Sequence, residues 1–562
     1  MAEAAVHLPR ERLVTVIARD PALKMRDGKH IVRAQVPIPA ETLLPGPVGY
    51  RVEVIDYDAS NDTLYLPRPL PRGDGDPFAK CTDAELLDDP LFHRFNAYAL
   101  VMRTLSRFEF ALGRRVEWGF DGHRLLVAPH AFSDANAFYA KHQNALLLGY
   151  FPGEKRMIYT CLSHDVVVHE TTHAILDGLR RRYTDPSSPD QAAFHEAFAD
   201  VVALLSIFAL PSVVELMLGG DGPKVKVRAL TEESLRASMI FGLAQQVGDE
   251  TAAVRGQPLR RSLELTPSTA YLDQEEFQES HRRGEIFVAA MLTAFIKMWV
   301  ARLKALVENR PDVDRIRAVD EGKIIAETLL TSAIRAIDYA PPVDIDFRDY
   351  LSAFVTADRE IRPDDERYHV RDCVVEAFAA YGIKPASSLR GGYWKQVRSD
   401  EFDYARTHYE PMQRHPDEVF HFLVENREAL QLENEAYTRV TSVRPCTRIG
   451  PDGFVLRETV CEYVLQLAVK PGELASFGVT KPNGMPDDED VTLYAGGILI
   501  FDEYGRLKFD IHNRFNSGRQ SEKLKYLWES GFFTTAGRAR LQFSSLHRRR
   551  ASGTDPQYRE EW

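Results

Sequence analysis

Residues 166–176 read VVVHETTHAIL, two histidines and a glutamate inside a run that otherwise has the character of a buried helix. Imidazole and carboxylate groups buried without partners lose hydration at a cost of several kcal/mol each, so this stretch requires something that satisfies them. In a helix, His169 and His173 project from one face one turn apart, the spacing at which two nitrogen ligands share one metal ion. Glu170 lies about 100° round the helix, within reach of a metal-held water without ligating the metal itself.

A second stretch completes the set. In AAFHEAFADVVALL, Glu196 and Asp200 are again four apart on one face of an apolar helix. Two carboxylates there would be buried beside the first helix unless they served the same centre. The pattern assigns Glu196 as third ligand and Asp200 as the acceptor for the free N–H of a ligating histidine.

At this point the region resembles the thermolysin family of gluzincins, zinc peptidases whose third ligand is a glutamate on the following helix. DVVVHETTHAILDGL followed by FHEAFAD is similar to the family's DVVxHExxHxxxD and NExxSD segments, with His195 where that pattern has Asn and Ala199 where it has Ser. The resemblance implies one Zn2+ on His169, His173 and Glu196, with Glu170 as catalytic base. NAFYAKHQNALLLGYF resembles the family's active-site edge strand, which gives Asn136 and Ala137 the binding of substrate backbone. ESLRASM resembles its SLR segment, making Arg236 the expected anchor for a substrate carbonyl and for Asp200. In SHRRGEIFVAAM, His281 stands where the family has its transition-state histidine, and Glu276 where an orienting acid is expected. Tyr183, in RRRYTDP, is the candidate for the oxyanion tyrosine, although the interval from His173 to Glu196 is longer than in the prototype. Val166 and Leu235 lie beside positions that line an apolar pocket in the family, which implies preference for an apolar residue after the cleaved bond. The resemblance runs from about residue 92 to 383.

Two departures follow. The stretch after the glutamate helix, VVALLSIFALPSVVELML, has Glu215 as its only acid, and Asp165 alone cannot supply the six or more oxygens of a calcium site, so calcium is not expected at the family's double site. No signal peptide or long propeptide is evident, which points to a cytoplasmic protein with access to the site narrowed by flanking domains, or to non-classical export.

The expected fold class is α+β, a thermolysin-like two-lobe arrangement with the active-site helix between a strand-rich lobe and a helical lobe. The expected units are a strand-rich segment at 1–85, a metallopeptidase lobe carrying HExxH at 86–262, a helical lobe at 263–384, and a separate α+β accessory domain with a mobile tail at 385–562. Within these, RRVEWGF (114–120) and HRLLVAP (123–129) read as short strands. PDEVFHFLVENREALQLE reads as helix, and FVLRETVCEYVLQLAV, LYAGGILIFDEYG and LKFDIHNRF read as strands.

The formal net charge of −12 argues against nucleic acid as a partner, and the short basic clusters at 180–182 and 548–550 read as solvated surface. Five scattered cysteines without a CxxC pair fit reduced thiols. The apolar runs at 201–214 and 286–303 are interrupted and read as core helices rather than membrane spans. The expected partner is a peptide or protein substrate, with a protein partner for 385–562 as a further option. Two other functions compete. A zinc aminopeptidase would need an acidic anchor such as a GxMEN segment, which the chain lacks; a partner-binding or assembly protein would use the peptidase fold as scaffold, and the intact Glu170 argues against that.

Overall fold

The structure is a computed structural model and describes residues 10–18, 31–71, 75–153, 156–220, 222–227, 230–244, 257–307, 311–516 and 518–541. The 385–562 tail sequence HRRRASGTDPQYREEW and the basic cluster at 548–550 lie outside the described residues.

Helices and strands are mixed throughout, an α+β architecture. The first strands, Glu11–Ile17 and Arg33–Pro39, pair antiparallel. The central sheet then runs Val52–Val54, Leu125–Ser133, Ala145–Pro152 and Ala137–Ala140 in spatial order, with Met157–Tyr159 also paired to Ala145–Pro152. The first three of these strands are parallel to one another, and Ala137–Ala140 joins antiparallel as an edge.

The helix Pro90–Leu112 packs along this sheet. Its start follows from Asp89, whose side chain accepts from the Leu91 N–H, and from Pro90 in the first turn; it stops at Gly113, which adopts the left-handed conformation that a side chain disfavours. The helices Ser280–Val307, Arg315–Ala336 and Phe347–Ile361 pack against Pro189–Phe208, and Val370–Ala379 packs on Ser280–Val307. Phe194 and Phe198 of that central helix meet Phe287 and Tyr350 in one aromatic cluster. Pro189–Phe208 and Ser280–Val307 are long and apolar enough to cross a membrane, and both are mostly buried inside the molecule.

The C-terminal region carries a four-stranded antiparallel meander, Tyr437–Ile449, Val455–Val469, Val491–Phe501 and Leu507–Asn513. Strand alternation divides its side chains between two cores. Cys461, Leu499 and Phe501 face a local core with Phe422, Leu474 and Leu524, whereas Val460, Ile498, Ile500, Phe509 and Ile511 join the main core of the molecule. The region expected to be separate therefore shares the main core through part of one sheet face.

Three local expectations are corrected. Residues 114–120 form no strand, because Glu117 and Trp118 press against Gly178, where a Cβ would lie 2.1 Å from the Glu117 carbonyl oxygen. The helical reading of 416–433 holds only for Pro416–Glu425. Arg180 is not solvated surface: it is 2% exposed, donates to the Ile337 carbonyl and pairs with Glu462 of the meander at 3.0 Å. The strand Tyr437–Ile449 is an addition that its polar, proline-containing sequence did not announce.

Candidate metal centre

The helix His164–Leu179 buries every residue except Asp165. Its threonine hydroxyls are satisfied within the helix, Thr171 donating to the Val167 carbonyl and Thr172 to that of Val168. The helix Pro189–Phe208 starts at Ser188, whose hydroxyl accepts from the Gln191 N–H, and is buried throughout from Ala193 to Phe208. The two helices pack side by side, and the four-residue spacings read from the sequence bring their polar groups together.

His169 Nε2 and His173 Nε2 are 2.7 Å apart, with Glu196 oxygens 3.4 Å from the first and 3.7 Å from the second. His169 Nδ1 lies 2.6 Å from Asp200 Oδ1, so Nδ1–H donates to the carboxylate and Nε2 faces the other ring. His173 Nδ1 meets His195 Nδ1 at 2.8 Å, and the two rings stack. Lone pairs and a carboxylate thus converge in a site where all three residues are at most 3% exposed. An N, N, O donor set with the outer ring nitrogens already oriented fits a divalent metal. His169, His173 and Glu196 are the residues that would hold it.

Glu170 is fully buried one residue along, and its Oε2 accepts the Tyr139 N–H at 2.8 Å. That bond ties the carboxylate to the edge strand Ala137–Ala140. By strand alternation the Ala137 backbone groups point the same way as those of Tyr139, while Asn136 turns its carbonyl inward to the Gly149 N–H at 2.8 Å. Gly149 is required there: a Cβ would lie 2.6 Å from the Asn136 carbonyl oxygen. Asn136 itself is 7% exposed, and its Oδ1 has no hydrogen-bond partner in the protein.

Asp177, two turns beyond His169, fastens the same strand from the other end. It accepts from Lys141 Nζ at 2.7 Å and from the Tyr139 hydroxyl at 3.2 Å. Burial pushes its carboxyl above the ordinary range, against the pull of Lys141 and Tyr139. The sequence contained Asp177 within the HExxHxxxD pattern, but nothing in it identified Lys141 and Tyr139 as partners.

The remaining expected residues divide. His281 opens the helix Ser280–Val307, and Gly284, one turn on, lies against Ala193 and Ala197 of the glutamate helix. The acid on His281 is Glu279, not Glu276: Glu279 Oε1 is 2.5 Å from His281 Nδ1, and its other oxygen accepts the N–H groups of His281 and Arg282. Burial raises the Glu279 carboxyl, but those partners outweigh it and hold it down at about 2. Glu276 instead pairs with Arg282 at 2.5 Å on the surface. Arg236 spends its guanidinium on the Leu263 and Leu265 carbonyls and the Thr293 hydroxyl rather than on Asp200, clamping the helix Glu232–Ala244 to its neighbours. Tyr183 is 1% exposed, donates its hydroxyl to the Pro341 carbonyl at 2.8 Å and packs edge-on against Phe194. That hydroxyl is committed to the Pro341 carbonyl and the ring is buried in the core. Val166 and Leu235 are both buried.

No protein-family model matches the chain, and no curated protein matches it.

Proposed function

We propose that the chain is a zinc-dependent peptidase of the thermolysin-like type, with its cleft between a strand-rich and a helical lobe. The observation that carries this reading is the convergence of His169, His173 and Glu196 beside a carboxylate, Glu170, that is anchored to the strand Ala137–Ala140. A zinc ion on these three ligands supplies Lewis acidity, which acidifies water and polarises a carbonyl.

The chain's own groups do the rest. Glu170 takes the proton of the attacking water and later delivers it to the leaving amine, and the Tyr139 N–H fixes which of its oxygens faces the substrate. The edge strand Ala137–Ala140 accepts the peptide as an added strand, with Asn136 Oδ1 as the acceptor for a substrate N–H. Glu279 holds the His281 ring through Nδ1, and the ring's Nε2 is the group that would meet negative charge developing on the scissile carbonyl oxygen. Tyr183 and Arg236 act through packing, as positioning residues. Buried Val166 and Leu235 support a preference for an apolar residue after the cleaved bond.

A peptide-library digest with wild type and Glu170→Gln tests the reading, with metal content measured on both. Expected is a fall of about 10²–10⁴-fold in cleavage with the metal retained; equal cleavage by the variant removes the proposal.

A further inference from the structure

Outside the peptidase centre, a second set of metal-ligating side chains meets in the core. His93 comes from the helix Pro90–Leu112, His130 from the strand Leu125–Ser133, and Cys161 from the turn Thr160–Leu162 that leads into the HExxH helix. Their exposures are 1%, 7% and 0%, and one ligand atom from each lies within 4.8 Å of the others.

The hydrogen bonds around the two rings show which atoms face inward. His93 Nε2 lies 2.9 Å from the Leu87 carbonyl oxygen, which only accepts, so that nitrogen carries a proton. His130 Nδ1 lies 2.9 Å from Asp56 Oδ1, and Asp56 is itself held by Arg94 at 2.7 Å, so this nitrogen carries a proton as well. The inward pair, His93 Nδ1 and His130 Nε2, are 3.0 Å apart beside the Cys161 side chain. Each ring therefore has its outer N–H on a carbonyl or carboxylate and its other nitrogen aimed at a common point, the orientation that partners outside the ligand set impose on metal-bound histidines.

The backbone is built around this point. The pairing of Leu125–Ser133 with Ala145–Pro152 breaks register between Ala128 and Phe132, and His130 sits in that irregularity, a device that re-aims a side chain. The Cys161 carbonyl is pinned by Asn96 Nδ2 at 2.9 Å, and Thr160 donates to the Gly149 carbonyl at 2.9 Å. The Tyr159 ring covers both imidazoles, at 4.6 and 5.2 Å between centroids.

We propose that His93, His130 and Cys161 form a second, structural metal site for a borderline-soft cation of the zinc type, which staples helix, sheet and the entrance to the HExxH helix together. Two imidazoles and one thiolate suit such an ion and not calcium or magnesium. On binding, the metal replaces the Cys161 thiol proton, which leaves to solvent.

Cobalt substitution tests this independently of the peptidase, because the HExxH centre has no sulfur ligand. The full-length chain, reconstituted with Co2+ alone, is expected to show a thiolate-to-cobalt charge-transfer absorption that Glu196→Gln retains and that Cys161→Ser and His93→Gln lose. Zinc content by elemental analysis should fall by one equivalent per chain in Cys161→Ser. Absence of the band from the wild-type protein, or zinc content unchanged by Cys161→Ser, overturns the proposal. Absence of the band from the wild type overturns the proposal whether or not the variants fold, a band that Cys161→Ala keeps assigns it to another thiol and overturns the proposal as well, and a wild type that shows the band but cleaves no peptide would sink the peptidase reading alone.

Discussion

Two buried polar clusters in this molecule differ in how their groups are matched. Where the C-terminal meander meets the helical part, Arg448 reaches Asp338 at 2.6 Å and Glu458 at 2.5 Å, Arg114 forks onto Asp338, and Lys508 and the Tyr339 hydroxyl complete Glu458. Every carboxylate there meets cations or a donor from the protein's own side chains. At His169, His173 and Glu196, by contrast, two imidazole nitrogens and a carboxylate converge on one point. Buried carboxylates matched by cations are architecture, whereas an N, N, O donor set of this kind could hold a metal ion.

The contrast can be broken first at the matched carboxylates. Arg448→Leu leaves Asp338 and Glu458 buried with too few partners and is expected to cost about 3–5 kcal/mol in urea unfolding, with or without a chelator. The metal centre should respond in the opposite way. Chelation is expected to lower wild-type stability by about 4 kcal/mol, the linkage expected when free metal stood near a thousandfold over its dissociation constant. Glu196→Ala should show a correspondingly smaller chelator-dependent shift in Tm. An equal shift in both proteins would mean that Glu196 does not hold the ion.

A smaller effect sharpens the comparison at His195. Its Nδ1 orients the His173 ring, so His195→Ala should weaken metal binding about 10–100-fold, and His195→Asn should recover most of that loss because an amide oxygen can accept the same proton. Competition titration with a chromophoric chelator measures both.

The mildest test is acid. Burial raises the Asp338 carboxyl, but Arg114, Arg448 and Arg180 overcome it and hold it below its ordinary value of 3.8. A group depressed in the folded state contributes its full stability above the unfolded value and loses it as pH falls through the folded one. Thermal melts should therefore carry no Asp338 contribution to pH dependence in neutral solution, and an acid-side loss beginning beneath pH 3.8 that Asp338→Asn abolishes.

How much of this was legible in the sequence depends on distance along the chain. His169 with His173, and Glu196 with Asp200, could be found because helical geometry converts a spacing of four into a shared face. Glu279 was missed for Glu276 because both acids precede His281 and only the turn into the helix decides which one folds back. Tyr183 and Arg236 were placed at the site by resemblance, and the structure turns each polar end to a backbone carbonyl instead. The Asp177, Lys141 and Tyr139 clamp was invisible because its members are brought together by a strand crossing a helix.

Local period alone accounts for the histidine and carboxylate pairs on shared helix faces, for the α+β class and for the apolar faces that bury the two site helices. Packing between distant elements accounts for the meander residues that join the main core, for the acid that holds His281, and for the meeting of His93, His130 and Cys161. Those outcomes depend on long-range packing, where a side chain's partner is set by the crossing of elements distant in sequence and by whichever arrangement leaves the fewest buried polar groups unsatisfied.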